Sequence, residues 1–442
     1  MYIIIGLGAT GLSCARYLKS EDIPFAVIDT RPNPPHLEEF KKAYPDVPLS
    51  LGALDGNLLD QASSVIISPG LSIKNPAILR QISKGTPVIG DIELFALKTK
   101  VPTIAITGTN AKSTVTTLVY EMAKTAGFKV KVGGNLGTPA LDLLGEEKTE
   151  LFVLELSSFQ LETTFSLKPT IASVLNVTPD HMDRYATFED YASAKRHIYS
   201  DCEIAVCNRD DPFTDCGKTF HKQKLQFTLN NPRDDEFGLI ENHGKFYLAH
   251  GSEVLLPVEE LPILGKHFQA NALAALAIGY GFGLPKEAML NALKCFKGLP
   301  HRVQLVRGRQ GVLWYNDSKG TNVGATLAAI EGLGGVIKGK LILIAGGVGK
   351  NADFSSLIPS IEKYVKAVIL IGQDANIIAN VLGSSVPIQF AKSMEEAVLI
   401  AANCAEAGDS VLLSPASASF DMFKNFEHRG SVFMDIVNAL SS

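Results

Sequence analysis

The chain has 442 residues, 46% of them hydrophobic and 20% charged, with a formal net charge of −5. That length predicts about three domains of ~150 residues each, with cores large enough to stand without disulfides. A mildly acidic balance with no long basic run argues against a nucleic-acid surface, and no apolar run reaches the ~18 residues of a membrane span.

The opening MYIIIGLGATGLSC reads as a buried strand, Tyr2–Ile5, because Gly6 and Gly8 break the apolar run and no basic segment precedes it. It is not a secretory leader, and a cytoplasmic protein is expected. The turn Gly6-Leu7-Gly8-Ala9-Thr10-Gly11 then opens a helix over Thr10–Ser20, and the next strand, Phe25–Asp29, ends on an acid eighteen residues after Gly11. This is a dinucleotide-type fingerprint in its structural context: glycines admit a diphosphate to the free N–H groups of a helix start, and the acid suits a ribose hydroxyl or another donor. NAD and a UDP-sugar fit it alike, and a ligand-free βα turn is the plain alternative.

After a strand at Ser64–Ile67, the strand Thr103–Ile106 runs into TGTNAKST and a helix over Ser113–Ala126. The phosphate-loop pattern G-x-x-x-x-G-K-[ST] fails twice, with Ile106 and Ala111 at the glycine positions. Its mechanism needs only successive backbone N–H groups around one hollow, a lysine and a hydroxyl for Mg²⁺, which Gly108, Lys112 and Ser113 supply. The methyl of Ala111 is tolerable provided its φ stays negative. A helix cap with an exposed lysine is the bland alternative.

The strand Leu151–Leu156 carries Glu155 inside an apolar run, where a buried carboxylate calls for a partner such as Mg²⁺. Ile171–Leu175 leads into NVTPDHMDRY, with Asp180, His181 and Asp183, which beside Glu155 make a metal shell credible. A strand at Ile204–Cys207 follows, and residues 219–260 alternate polar and apolar like β-hairpins inserted in the frame. Beyond the linker near FKGLPHRVQLV, strands ending in Asn316, Ala345 and Leu413 release the loops Asp317–Thr321, Gly346–Lys350 and Ala416–Ser419, rich in cations and hydroxyls. Such a face suits a carboxylate- or phosphate-rich ligand. Strands Leu341–Ala345, Ala367–Ile371 and Ser410–Leu413 complete an α/β pattern with buried parallel sheets. The units expected are 1–93, 94–298 and 299–442. The six scattered cysteines read as reduced thiols, and a zinc site from Cys202, Cys207 and His221 has the wrong spacing. On residues alone, a kinase or ATP-driven ligase fits better than a dehydrogenase.

Taken together, GLGATGLS, SPGL, TGTNAKST, LELSSFQLE, NVTPDHMDRY, GLPHRVQ, NDSKGTN and SPASASFDMFKNFEHRG resemble the Mur ligases over essentially the whole chain. The resemblance implies a monomeric three-domain enzyme of peptidoglycan precursor synthesis: a Rossmann-like UDP-binding domain, a central P-loop-type ATP domain with a small β insertion and a Rossmann-like third domain. It implies addition of D-glutamate to UDP-N-acetylmuramoyl-L-alanine with ATP and two Mg²⁺ ions. Its substrate contacts map to Ala9, Thr10, Asp29, Thr30, Arg31, Ser68, Gly70, Asn135 and Ser157. ATP would meet Gly108, Thr109, Asn110, Ala111, Lys112, Ser113, Thr114, Asn271, Arg302 and Asp317, and the metal Ser113, Glu155, His181 and Lys195. Lys195, which its local pattern would place on the surface, matches a lysine carbamylated in this family. Lys112, Glu155, His181 and Lys195 would carry catalysis, and Lys319, Thr321, Lys350, Ser419 and Phe426 the D-glutamate pocket. Ala111 departs from the family's glycine.

Overall fold

The computed structural model describes residues 1–145, 148–218, 220, 222–263, 265–349 and 351–440. Its strands form three sheets, one in each third of the chain. The first holds β1 (Tyr2–Ile5), β2 (Phe25–Asp29), β3 (Leu49–Leu51), β4 (Ser64–Ile67) and β5 (Val88–Ile89), all parallel, in the order β3-β2-β1-β4-β5.

The second sheet comprises β6 (Thr103–Thr107), β7 (Val130–Gly134), β8 (Leu151–Glu155), β9 (Ile171–Val174), β10 (Ile204–Asn208), β11 (Gln223–Phe227), β12 (Glu236–Asn242), β13 (Lys245–His250) and β14 (Glu253–Pro257). The phosphate-loop strand β6 lies between β8 and β9, so Glu155 and the 176–184 loop leave the sheet on either side of Gly108–Thr114. The stretch expected to form hairpins divides differently. β11 extends the parallel sheet beside β10, and only β12, β13 and β14 pair antiparallel, as a meander on its edge. The alternation of Gln223–Phe227 is that of a strand with one wet face, which does not distinguish parallel from antiparallel neighbours.

The third sheet has β15 (Gln304–Arg309), β16 (Val312–Asn316), β17 (Leu341–Gly346), β18 (Val365–Ile371), β19 (Ile388–Phe390) and β20 (Ser410–Leu413), in the order β15-β16-β20-β17-β18-β19. β15 is its antiparallel edge.

The central strands of each sheet are buried on both faces, which is why they read as unbroken apolar runs. Ile342 and Ile344 belong to one core, and Leu341 and Leu343 to another on the opposite face. One core runs without a break from Ile4, Leu12 and Ile92 of the first unit to Phe152, Leu154 and Val174 of the second. The third unit keeps its cores to itself, so the first two units are welded by apolar packing and the third is joined chiefly by polar contacts and a short linker. Among the described residues, no helix is long and apolar enough to cross a membrane. The six cysteines are free thiols, and His221 lies outside the described residues.

Candidate active site

The glycine turn after β1 is as tight as the sequence predicts. Gly6 has φ +99, and a Cβ on Gly11 would sit 1.8 Å from the Gly6 carbonyl oxygen, so the helix start can approach the turn only as glycine. Asp29, which lines the cavity above the turn, also bonds to the turn's own backbone. Its Oδ2 accepts from the Leu7 N–H at 2.6 Å, and its Oδ1 accepts from the Arg31 N–H at 2.8 Å and Nε at 2.9 Å. Burial raises its pKa, but the Arg31 guanidinium and the two backbone donors outweigh it and hold the carboxyl below its ordinary value. Asp29 therefore braces the turn and presents Arg31. Ala9, Thr10, Asp29, Thr30, Arg31, Ser68, Gly70 and Asn135 all line one cavity of about 540 Å³ above this turn.

A second cavity, of about 220 Å³, adjoins it and shares Gly70 and Asn135. Its walls include Thr109, Lys112, Ser157, Asp180, His181, Tyr191 and Lys195. The Lys112 ammonium donates to the carbonyls of Gly108 and Thr109, both at 2.9 Å. Lys195 is 2% exposed, not a surface residue: its Nζ donates to the Gly108 carbonyl at 2.8 Å and lies 4.6 Å from the Tyr191 ring centre. Burial first, and then the Lys112 charge, push the Lys195 amine well below the usual lysine range, against the pull of Asp180 and Glu155.

Glu155 is 2% exposed at the end of β8. Its Oε1 accepts from Asn135 Nδ2 at 2.6 Å, and its buried Oε2 has no hydrogen-bond partner. Among the described residues, no three His, Cys, Asp or Glu side chains gather into a closed metal cage. Mg²⁺ requires less, because it usually takes one or two protein oxygens and completes its shell with water and phosphate. An orphaned carboxylate oxygen in this setting fits that demand.

The loop itself is rigidly held. The Asn110 N–H donates to Asn176 Oδ1 at 2.8 Å, while Asn176 Nδ2 donates back to the Asn110 carbonyl at 3.1 Å. Ala111 breaks the expectation of negative φ: it has φ 66 and ψ −5, in the left-handed region, immediately before the helix Lys112–Thr125. That helix has no side-chain cap, so its first N–H groups face the hollow and suit an anion.

A third cavity, of about 280 Å³, opens on the other side of the same loop, where the second and third units meet. Asn110, Ala111, Thr114, Asn271, Arg302 and Asp317 line it, so most of the expected nucleotide residues are gathered there. Burial pushes the Asp317 carboxyl up to about 7, although the Ser414 hydroxyl donates to it at 2.7 Å and Arg302 is near. The Ser113 hydroxyl, expected at the metal, accepts from Arg302 Nη2 at 2.9 Å.

The expected D-glutamate residues are less completely assembled. Lys319 lies 3.7 Å from the Phe426 ring centre but also lines the nucleotide cavity, and burial lowers its pKa to about 8. Thr321 and Ser419 do not line that cavity, and Lys350 lies outside the described residues. The three loops are nonetheless tied together. Val348 and Ala418 exchange backbone hydrogen bonds at 2.9 Å, and the buried Arg429 donates to the Ser318 and Ser417 carbonyls at 2.9 and 3.1 Å. Arg429, Asn176 and Tyr191 were missed by the sequence reading. Asn176 and Arg429 stand inside the motifs NVTPDHMDRY and SPASASFDMFKNFEHRG, yet nothing in those strings marks them as the residues that clamp the loops.

Family models match three successive stretches: a Mur ligase MurD-like N-terminal domain at residues 1–90, the Mur ligase middle domain at 106–279 and the Mur ligase glutamate ligase domain at 301–417. The chain is 53% identical over 439 residues to the UDP-N-acetylmuramoylalanine–D-glutamate ligase of Pseudomonas aeruginosa, covering 99% of this chain and 98% of the relative. It is 50% identical over 443 residues to the enzyme of that name from Legionella pneumophila strain Paris, covering 100% of this chain and 99% of the relative. The solved structure of the UDP-N-acetylmuramate–alanine ligase MurC from Thermotoga maritima shares the fold, with a TM-score of 0.64 over 99% of both chains at 17% identity. Three sheets in the matched order, with their cavities meeting around one phosphate-type loop, agree with those full-length likenesses: the chain belongs to the Mur ligase family.

Proposed function

We propose that this protein is the ligase that couples ATP cleavage to joining D-glutamate to UDP-N-acetylmuramoyl-L-alanine, a step in peptidoglycan precursor synthesis. One observation carries the reading. The loop Gly108–Thr114 turns Thr109 and Lys112 toward the central cavity and Asn110, Ala111 and Thr114 toward the nucleotide cavity, while Gly70 and Asn135 link the central cavity to the substrate cavity. A phosphoryl group held on this loop is thus the one element of ATP within reach of a carboxylate brought from the first unit. The relatives at 50–53% identity carry the matching name.

A carboxylate does not acylate an amine, because oxide is too poor a leaving group. Its oxygen attacks the γ-phosphorus of ATP, the bond to the bridging oxygen breaks, and ADP departs. The neutral amine of D-glutamate then adds to the acyl carbon, a C–N bond replaces the C–O bond, the amine loses a proton, and phosphate leaves. Lys112 meets phosphoryl charge, Asn135 orients Glu155, and the Arg429-tied loops present Lys319 to the amino acid's carboxylates.

Ser113, Glu155, His181 and a carbamylated Lys195 would hold magnesium, which supplies charge neutralisation on phosphoryl oxygens. For Lys195, the motive is its burial, which favours the uncharged amine: such an amine can attack CO₂, forming an N–C bond and releasing one proton. A carbamate resonance in ¹³C-bicarbonate spectra, absent from Lys195→Arg, is expected, and its absence from the natural protein removes that assignment.

In this reading the domains are 1–93, 94–298 and 299–442, and the protein works as a cytoplasmic monomer, which light scattering checks. Third-domain movement about Gly298–His301 suits a linker where Gly298, His301 and Val303 all have positive φ. Movement about Lys98–Val101 is opposed by the continuous core across the first two units. The decisive experiment is phosphate release from ATP that requires both UDP-N-acetylmuramoyl-L-alanine and D-glutamate. Release that depends on neither, or on a different amino acid, overturns the reading.

A further inference from the structure

Arg184 belongs to the second unit, three residues beyond His181, yet it spends its guanidinium largely on the first unit. Nη1 donates to the Pro69 carbonyl at 2.7 Å and Nη2 to the Leu71 carbonyl at 3.3 Å. Nη2 is also paired with Glu162 at 2.7 Å, and the guanidinium carbon sits over the Phe159 ring, 3.9 Å from its centre. The edge of that ring packs in turn on the His181 imidazole, with centroids 4.8 Å apart.

The Pro69–Leu71 loop is where the substrate cavity passes into the central one: Pro69 and Gly70 line both. A single side chain, 12% exposed, therefore connects the floor under the incoming substrate with the His181 wall of the phosphoryl-transfer cavity. Arginine suits this task because its planar fork can serve two carbonyls and a carboxylate at once while stacking on a ring, which a lysine cannot.

We propose that Arg184 is a positioning residue that keeps the substrate loop, and the carboxylate riding above it, in register with the phosphate-holding loop. The inference rests on the ligase reading above. Misplacing reacting groups by about 1 Å can cost ~10²-fold in rate while leaving binding of each substrate intact.

The test compares Arg184→Gln, Arg184→Lys and Glu162→Gln with the natural protein. For Arg184→Gln, kcat is expected to fall by roughly 30- to 100-fold, with KM for ATP and calorimetric Kd for UDP-N-acetylmuramoyl-L-alanine each within about threefold. The backbone amides of Gly70 and Leu71 should exchange faster with deuterium. Arg184→Lys and Glu162→Gln should show the same split to a smaller degree and serve as the measure if Arg184→Gln does not fold. Unchanged kcat overturns the proposal, as does a loss that tracks UDP-substrate affinity, or exchange at Gly70 and Leu71 equal to that of the natural protein. The exchange readout needs no turnover, so it distinguishes failure of this proposal from failure of the ligase reading, in which the natural protein itself releases no phosphate.

Discussion

The Arg302 guanidinium donates to the Ser113 hydroxyl at 2.9 Å, joining residues 189 positions apart across the boundary between the second and third units. Asn322 acts beside it, its Nδ2 donating to Asn110 Oδ1 and Asp180 Oδ2 at 3.1 Å each. The third unit is thus latched to the phosphate-type loop by polar groups that nucleotide would also engage. A hydrogen bond from a charged donor contributes about 1 to 3 kcal/mol. The double variant Arg302→Ala, Asn322→Ala should therefore release the third unit without nucleotide, seen as a larger radius of gyration in small-angle scattering. Superimposable scattering profiles would show that other contacts hold the posture.

Ala111 carries the cost of a left-handed residue at φ 66. For an L-residue with a Cβ that conformation costs about 1–2 kcal/mol, and glycine returns part of the gain through its freer unfolded chain. Ala111→Gly is expected to raise the thermal midpoint by an amount equivalent to ~0.5–1 kcal/mol, while Ala111→Val, β-branched, should lower it. The methyl lines the nucleotide cavity, so tighter ATP binding by the glycine variant is also expected by calorimetry. A midpoint that falls in Ala111→Gly would mean that the alanine is not strained.

What could be read from the sequence divides along the same physical line as the forces. β1, β2, β4 and β20 were legible to the residue because strands buried on both faces are continuous apolar runs. β3, β5 and β19 have two or three residues each and were not, since too little pattern survives in so short a span. Lys112 and Glu155 announced themselves by local context. Lys195 did not, because the group that buries its amine, the Gly108 carbonyl, lies 87 residues away, and Tyr191 one turn earlier in the same helix does not by itself mark the lysine as buried. The conformation of Ala111 was misjudged for a similar reason: Asn176, from the loop after β9, clamps the loop into a turn that the alanine follows.

Asp91 couples stability to pH. It is buried at the junction of the first two units, its Oδ2 accepts from Gln160 Nε2 at 3.2 Å, and its Oδ1 has no partner. Burial lifts its pKa to about 6, from an unfolded value near 3.8. Between those values the folded protein holds the proton more tightly than the unfolded chain, so this group's contribution is fully present below about 3.8 and is lost as pH rises through about 6. A shift of that size corresponds to at most ~3 kcal/mol. Asp91→Asn should flatten that part of the stability profile and leave the variant more stable than the natural protein at pH 8. Denaturation at pH 4, 6 and 8 measures it, and parallel profiles for the two proteins would rule Asp91 out as the source.

Lys112 offers the sharpest separation of binding from chemistry. Its ammonium bonds to the Gly108 and Thr109 carbonyls at 2.9 Å, and burial lowers its pKa against the pull of Glu155. A cation so placed has little to lose when phosphate oxygens replace the carbonyls, and a great deal to offer as charge builds on the transferring group. Lys112→Ala should cut ATP-dependent phosphate release by ~10³-fold or more. The cavity above the first glycine turn, walled by Arg31 and Thr10 of the first unit, does not include Lys112. Calorimetric affinity for UDP-N-acetylmuramoyl-L-alanine should therefore stay within about threefold of the natural value, because sites without shared partners vary independently. Equal loss of turnover and of UDP-substrate binding would mean that the two cavities are one energetic unit, and that the division of labour between the loop and the first sheet is wrong.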